Sequence, residues 1–275
     1  MKTLFVSDLD GTLLQNNSRI SKKSCEILNR LINHGVFFSY ATARGLATAL
    51  KVTEGLYCNV PVITKNGVVI VRPDTNEIVS KNLFLKEEAE AIYHTLCDEK
   101  LDPIVYSYQN GMEKFSYNMN TQSEGIQWFV SSHQQDTRDN PVSDNEELLR
   151  GEIFYFSCIG TKELLEKTYQ KMQNKYQCIF SKDTYNDRMW LEIMPKCATK
   201  ASAILQLKEM MQFDTIIAFG DGVNDIPMFE IADECFAVEN ADAQLKKIAT
   251  GIIGTNQSDG VANWMEKNAK SKCSK

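Results

Sequence analysis

Two aspartates, Asp8 and Asp10, stand where the first apolar run of the chain ends, in MKTLFVSDLDGTLL. Side chains alternate along an extended strand, so carboxylates two residues apart point the same way. Two negative charges in one small volume repel unless a cation or a proton relieves them. Taken alone, DLDGT also reads as a strand running into an ordinary aspartate-glycine turn. An EF-hand loop is excluded, because position six from Asp8 is Leu13 where glycine is needed and position twelve is Arg19 where glutamate is needed.

A second acidic stretch, GDGVND at 220–225, changes the weighing, since Asp221 and Asp225 also follow an apolar run, Thr215 to Phe219. In open α/β sheets the carboxyl ends of the strands line the ligand crevice, so DLDGT, ATAR at 41–44 and GDGVND converge there. ATKAS at 198–202 reaches in from a helix. Three or four carboxylates in one crevice call for a hard divalent cation, most naturally Mg2+. A magnesium ion with a lysine and a hydroxyl nearby is the equipment of phosphoryl transfer. One of Asp8 and Asp10 then attacks phosphorus to give an aspartyl-phosphate, and the other serves as general acid and base. Thr42 by itself reads as a helix cap. Lys200 by itself reads as a solvated lysine of a first helical turn, and local sequence does not separate it from Lys196.

These residues need a frame. Helical spacing of Cys25, Leu28, Leu31 and Ile32 predicts a helix capped by Ser21 and stopped at Gly35. VFFSYAT is a second strand, a helix spans about Arg44 to Leu56, and PVITKNGVVIV with RPDTNE forms a third strand and a hairpin. This alternation predicts a parallel sheet flanked by helices. From Leu83 to Trp190 the strands are rich in aromatics and alternate with polar residues, as in an antiparallel sheet with one covered face. SSHQQDTRDNPVSDNEE reads as a polar segment, after which strand–helix alternation resumes. The expected architecture is a doubly wound parallel α/β core, 1–82 and 191–275, carrying an inserted α+β domain at 83–190.

The chain has 275 residues, 43% hydrophobic and 24% charged, which suits two globular domains. Its net charge of −6 and the lack of a basic groove with interleaved aromatics argue against nucleic acid as a partner. No apolar stretch reaches membrane-spanning length and the N-terminus shows no signal pattern, so the expected location is the cytoplasm, without membrane attachment. Eight scattered cysteines, never in C-x-x-C, read as reduced core thiols. The basic end KNAKSKCSK is expected to fray. His34, His94 and His133 lie away from every motif, Tyr106, Tyr108, Phe154 to Phe156 and Tyr185 read as core or face of the inserted domain, and Arg138 and Arg188 are weak substrate contacts.

Together DLDGTLL, ATAR, the lysine of ATKAS and GDGVNDIPMF resemble the four motifs of the haloacid dehalogenase superfamily, in particular its Cof-type phosphatases with a large α/β cap. The resemblance extends through AVENADAQLKKIATGIIGTNQSDGVA and so over nearly the whole chain. It implies that Asp8 is the nucleophile and Asp10 the acid/base. It also implies a Mg2+ ion held by the Asp8 side chain, the Asp10 carbonyl and Asp221, with Asp225 on a metal-bound water and Asn224 close to metal or phosphate. Gly11 then permits an unusual backbone, and Thr12 orients the aspartates. Thr42 and the amide of Ala43 bind phosphate at a helix N-terminus, and Lys200 neutralises phosphate and nucleophile. Asn66-Gly67 resembles a family turn near the site.

One departure stands out: where the family has threonine-glycine-arginine, this chain has Thr42-Ala43-Arg44. Alanine is harmless if position 43 is helical, which is the expectation, and strained if it is left-handed. The implied activity is Mg2+-dependent hydrolysis of small phosphomonoesters, such as sugar phosphates or phosphorylated cofactors, with the cap selecting the substrate. Two rivals use the same residues: a phosphomutase that returns the phosphoryl group to another hydroxyl, and a non-catalytic, metal-dependent metabolite-binding protein.

Overall fold

The computed structural model describes residues 1–182 and 188–273, except for the side chain of Cys273. The first segment runs β1 (Thr3–Ser7), α1 (Lys22–Asn33), β2 (Phe37–Tyr40), α2 (Leu46–Val52), β3 (Val62–Thr64), β4 (Val69–Val71) and β5 (Ile78–Lys81). The middle segment contains α3 (Lys86–Asp98), β6 (Ile104–Gln109), β7 (Met112–Asn118), α4 (Glu124–Ser132) and β8 (Asp139–Val142), then β9 (Glu152–Gly160), α5 (Lys162–Met172), β10 (Gln177–Lys182) and β11 (Met189–Met194). The last runs α6 (Lys200–Met211), β12 (Thr215–Gly220), α7 (Ile226–Glu230), β13 (Glu234–Val238), α8 (Ala243–Ile248), β14 (Gly251–Ile253) and α9 (Gly260–Cys273).

The chain divides into two compact units, Met1–Lys81 with Ala198–Lys275 and Asn82–Cys197. The return to the first unit lies after Cys197 and not at the expected 190/191, because β11 pairs with β9 and β10 in the sheet of the second unit.

In the first unit five parallel strands lie in the order β14-β13-β12-β1-β2, and a parallel bridge from Ala41 to Ile63 leads on to β3. The chain winds outward from β1 through β2 toward β3, then restarts on the other side of β1 with β12. The switch point therefore falls between β1 and β12, where an open α/β sheet opens its crevice. β1 is buried along its whole length, which explains its unbroken apolar run. α1 forms as expected, with the Ser21 hydroxyl accepting from the Ser24 amide and Gly35 at φ +89° beyond its end.

Two expectations are corrected here. The helix expected from Arg44 begins only at Leu46, with Gly45 as its N-cap. The basic tail does not fray through Lys272, since α9 continues to Cys273. The Lys272 carbonyl accepts from the Thr3 hydroxyl at 3.0 Å, and its ammonium meets Glu234 at 2.5 and 2.8 Å.

The second unit has the sheet order β10-β11-β9-β6-β7-β8, with β6 and β7 joined by an Asn110-Gly111 turn at positive φ. Every pairing is antiparallel except β7 with β8, so the sheet is mixed and not purely antiparallel as expected. Its core buries Val105, Phe156, Cys158, Leu191 and Ile193 against Ala89, Ile92, Leu96, Leu165 and Met172 of α3 and α5. A second cluster joins Ile104, Phe115, Tyr117 and Ile159 to Ile126 and Phe129 of α4, so the opposite face is covered in part as well. β8 lies within the segment read in the sequence as polar, and α4 lies mostly in 119–130, for which no element was expected. Phe154 and Phe156 are fully buried, Tyr108 nearly so and Tyr106 in part, whereas Tyr185 lies outside the described residues.

Neither weak arginine candidate stands apart: Arg138 pairs with Asp136 at 2.6 Å and Glu113 at 2.9 Å, and Arg188 lies over the Trp128 ring. Cys25, Cys158 and Cys235 are buried, but Cys97 and Cys197 are exposed, which corrects the all-core reading of the thiols. Among the described residues no helix is long and apolar enough to cross a membrane.

Hydrogen bonds from Arg138 hold the Asp136 carboxyl down at about 2, against the cost of its burial. A carboxylate with a depressed folded-state pKa stabilises above its unfolded value and loses that contribution as pH falls through the folded one. Asp136→Asn is therefore expected to cost about 1 kcal/mol at pH 7. Urea unfolding should show that gap constant down to about pH 5 and closing as pH falls from about 4 toward 2.

Candidate active site

Each polar group of the site is placed by a strand end or the first turn of a helix. The β1–β12 ladder continues one residue past the strand, with the Asp8 amide donating to Phe219 O at 2.9 Å, so Asp8 leaves the sheet beside β12. The chain then makes one wide turn over Leu9–Leu13, closed by the Leu14 amide on Leu9 O at 2.8 Å, with Gly11 at φ +79°. A Cβ on Gly11 would overlap the Asp221 carboxylate, 2.8 Å from its Cγ. Glycine is thus needed twice, for its dihedral and for the close approach.

Lys200 is the first residue of α6, with Thr199 as its cap: the Thr199 hydroxyl accepts from the Ser202 amide at 3.0 Å. Its Nζ, in a side chain only 4% exposed, donates to Asp8 Oδ1 at 2.5 Å and Asp225 Oδ1 at 2.7 Å. Lys196 instead donates to Asn174 O within the second unit. The other Asp225 oxygen accepts the Asp221 and Gly222 amides, both at 3.1 Å, so Asp225 holds both the lysine and the turn after β12. Asp221 Oδ1 accepts from the Thr12 hydroxyl at 2.8 Å, which gives Thr12 its orienting contact.

Asp8, Asp221 and Asp225 each offer a carboxylate oxygen within 4.8 Å of the others. Three carboxyl groups face one ammonium in a largely buried site, and every donor is a hard oxygen, which suits Mg2+. Asp8 and Asp221 each have one oxygen outside the Lys200 and Thr12 hydrogen bonds, whereas both Asp225 oxygens are engaged, so Asp8 and Asp221 fit best as direct ligands.

Burial pushes the Asp8 carboxyl up to about 8, with Lys200 opposing that rise and Asp225 adding to it. Burial raises Asp221 too, against the Thr12 hydrogen bond. Burial disfavours the Lys200 ammonium, but the two carboxylates outweigh it and hold its pKa above the ordinary lysine value. A divalent cation supplies what these raised carboxyls lack.

The remaining expectations divide. Thr42 is buried, and its Oγ1 accepts the Arg44 amide at 3.1 Å, which leaves its own hydrogen to donate. Ala43 is exposed, lies before α2 and is not at positive φ. It is therefore neither helical, as expected, nor strained, and the glycine-to-alanine departure has no backbone cost. Because α2 starts at Leu46, Thr42 and Ala43 are in the loop ahead of it and not in its first turn.

Asn66-Gly67 does join the frame: Lys65, Asn66 and Gly67 all have positive φ, and a Cβ on Gly67 would overlap the Thr199 carbonyl beside Lys200. Asn224 is exposed, its Oδ1 folded back over Gly222. The Asp10 side chain stands apart from the carboxylate triad, with Arg44 Nε on Oδ2 at 2.8 Å and Nη2 on Oδ1 at 2.6 Å. The three histidines play no part. His34 and His133 sit at the ends of α1 and α4, His133 stacked on Phe129, and His94 lies on α3.

Two further positioning residues were not singled out in the sequence. Asn240 Nδ2 donates to Gly11 O at 2.7 Å, while its Oδ1 accepts the Asn256 amide at 2.9 Å. The Asn256 side chain in turn donates to Leu14 O at 2.9 Å. Lone asparagines in loops carry no spacing signal that could have marked them.

Residues 5–265 match the haloacid dehalogenase-like hydrolase family. The chain belongs to that family. It is 27% identical to 5-amino-6-(5-phospho-D-ribitylamino)uracil phosphatase YwtE of Bacillus subtilis, over 94% of this chain and 95% of the relative. A second Bacillus subtilis protein named for the same phosphatase activity, YitU, is 23% identical over 96% of each chain. A Thermotoga maritima crystal structure superposes with a TM-score of 0.77 at 25% identity, covering 97% of both chains. A haloacid dehalogenase-like hydrolase of Bacteroides thetaiotaomicron shares the fold, with a TM-score of 0.75 at 23% identity and 97% and 99% coverage. The enzyme class expected from the sequence, a phosphoric monoester hydrolase, agrees with these relatives.

Gly11→Ala tests the close approach in this site. It is expected to destabilise the fold by about 1–3 kcal/mol through the left-handed backbone alone. Displacement of Asp221 should also weaken Mg2+ binding at least tenfold in isothermal titration calorimetry.

Proposed function

We propose that this enzyme is a Mg2+-dependent phosphatase that hydrolyses small-molecule phosphomonoesters through an aspartyl-phosphate on Asp8. The observation that carries the reading is the buried Lys200 ammonium held between Asp8 and Asp225, with Asp221 beside them. That arrangement keeps Asp8 oriented and part-neutralised at the end of a strand, where a phosphoryl group can approach it. Asp8, Asp221 and the Asp10 carbonyl would hold Mg2+, which would supply charge neutralisation for the phosphoryl oxygens.

The chain's own residues then divide the work. The Thr42 hydroxyl, with the Ala43 amide, donates to a phosphoryl oxygen, and Lys200 balances charge on the phosphate and on Asp8. Asp8 attacks phosphorus as the ester bond breaks, and Asp10 gives its proton to the leaving alcohol. Asp10 next takes a proton from the water that attacks phosphorus, and the bond to Asp8 breaks. Asp225 orients Lys200, and Asn224 would lie beside metal or phosphate.

We assign selection of the organic part of the substrate to the second unit, acting as a cap, with sugar phosphates and phosphorylated cofactors as the substrate class. The Bacillus subtilis relatives are named for a phosphorylated ribityl-pyrimidine, which makes such a compound a first choice for testing.

Release of inorganic phosphate from a panel of metabolite phosphates and from p-nitrophenyl phosphate, with and without Mg2+, tests this reading. Asp8→Asn should lower kcat by at least about 10⁴-fold, and EDTA should abolish turnover until Mg2+ is restored. Absence of Mg2+-dependent release across the panel by the wild-type protein rejects the proposal.

A further inference from the structure

Asp10 is not a free carboxylate in this protein. Both of its oxygens accept from the planar guanidinium of Arg44, in the two-point geometry that arginine and carboxylate share. The Asp10 and Arg44 side chains are 50% and 27% exposed, and ion pairs at such positions add little stability. What the pair supplies is orientation. Asp10 is carried by the wide turn whose Gly11 carbonyl is held by Asn240. Arg44 is pinned at both ends of its own backbone unit, since its amide donates to Thr42 Oγ1 at 3.1 Å and its carbonyl accepts the Lys65 amide at 2.9 Å. Two independently fixed loops thus meet through one fork, and the loop carrying the guanidinium also carries the phosphate-binding hydroxyl.

The fork uses two of the roughly four lone-pair sites that a carboxylate offers and leaves the others for water.

We propose that Arg44 is the positioning residue that holds Asp10 in place as the base for the second half-reaction. In that step the water oxygen bonds to phosphorus while the phosphorus–oxygen bond to Asp8 breaks and returns its electron pair to the carboxylate. The proton lost by water passes to Asp10. This inference rests on the aspartyl-phosphate reading above and deepens it.

Stopped-flow release of p-nitrophenol from p-nitrophenyl phosphate with Mg2+, paired with acid quench and mass determination of the protein, tests it. The proteins compared are wild type, Arg44→Ala, Arg44→Lys and, as reference, Asp10→Asn. Because this leaving group needs no proton, the first half-reaction proceeds in every variant. Arg44→Ala is expected to give a burst approaching one equivalent of p-nitrophenol per enzyme, then a steady rate at least tenfold below wild type, with covalent phosphate on the quenched protein. Arg44→Lys, which keeps the charge but loses the fork, should fall between, and it carries the test alone if circular dichroism shows Arg44→Ala unfolded.

A merely structural role lowers the rate without a burst. Slow turnover by the arginine variants with neither burst nor covalent phosphate, while Asp10→Asn accumulates both, overturns the role of Arg44 and leaves the aspartyl-phosphate reading standing. Absence of covalent phosphate from Asp10→Asn as well overturns the two together.

Discussion

A single ammonium group organises the catalytic unit. Lys200 is buried, and a buried charge is tolerated only when it is paired and its hydrogens are used. Its partners, Asp8 and Asp225, come from the end of β1 and from the turn after β12, and the lysine itself opens α6. The pairing therefore ties three elements that are far apart in the chain. Removing one member of such a buried set typically costs about 3–5 kcal/mol, because the others are left as unpaired charges. Carboxylates in excess over the ammonium leave a deficit of positive charge, which is why the site suits a divalent cation and, after it, a phosphoryl group.

Bringing these charges together requires backbones to approach more closely than side chains allow. Gly11 lies against the Asp221 carboxylate and Gly67 against the carbonyl of Thr199, each at positive φ. The electrostatics of the site thus depend on two missing Cβ atoms. Around them, Thr12 fixes Asp221 while Asn240 and Asn256 fasten the wide turn from the far side. These contacts spend hydrogen bonds on carbonyls that the turn leaves without partners in the sheet. The turn is as much a product of β13 and the segment before α9 as of its own residues.

The second unit has its own cores, on both faces of a mixed sheet. Much of it was legible as aromatic strands and helices, but α4 and β8 were not. α4 is held by few apolar residues, among them Ile126 and Phe129, within polar surroundings, too weak a period to stand out without the sheet face that receives it. The tail misleads for a related reason. Its lysines suggest a solvated end, yet Val261, Ala262, Met265 and Ala269 are buried and carry α9 to Cys273. Local composition records charge on the outward face, whereas burial of the inward face decides whether the helix persists.

By itself, the sequence determined the strand–helix alternation, the switch-point placement of DLDGT and GDGVND, and the family. Those depend on periodicity and on ordered short motifs, which are local quantities. Lys200, which local sequence did not separate from Lys196, was singled out by the family motifs. Only the tertiary structure decided that both Asp225 oxygens are engaged while Asp221 keeps one to offer, and that Asp10 turns to Arg44. Each is a question of which donor reaches which acceptor across elements remote in the chain. The same holds for Ala43: its position before α2, away from left-handed backbone, is set by the loop from Thr42 to Gly45 packing on Ile63 and Lys65, which no local propensity encodes.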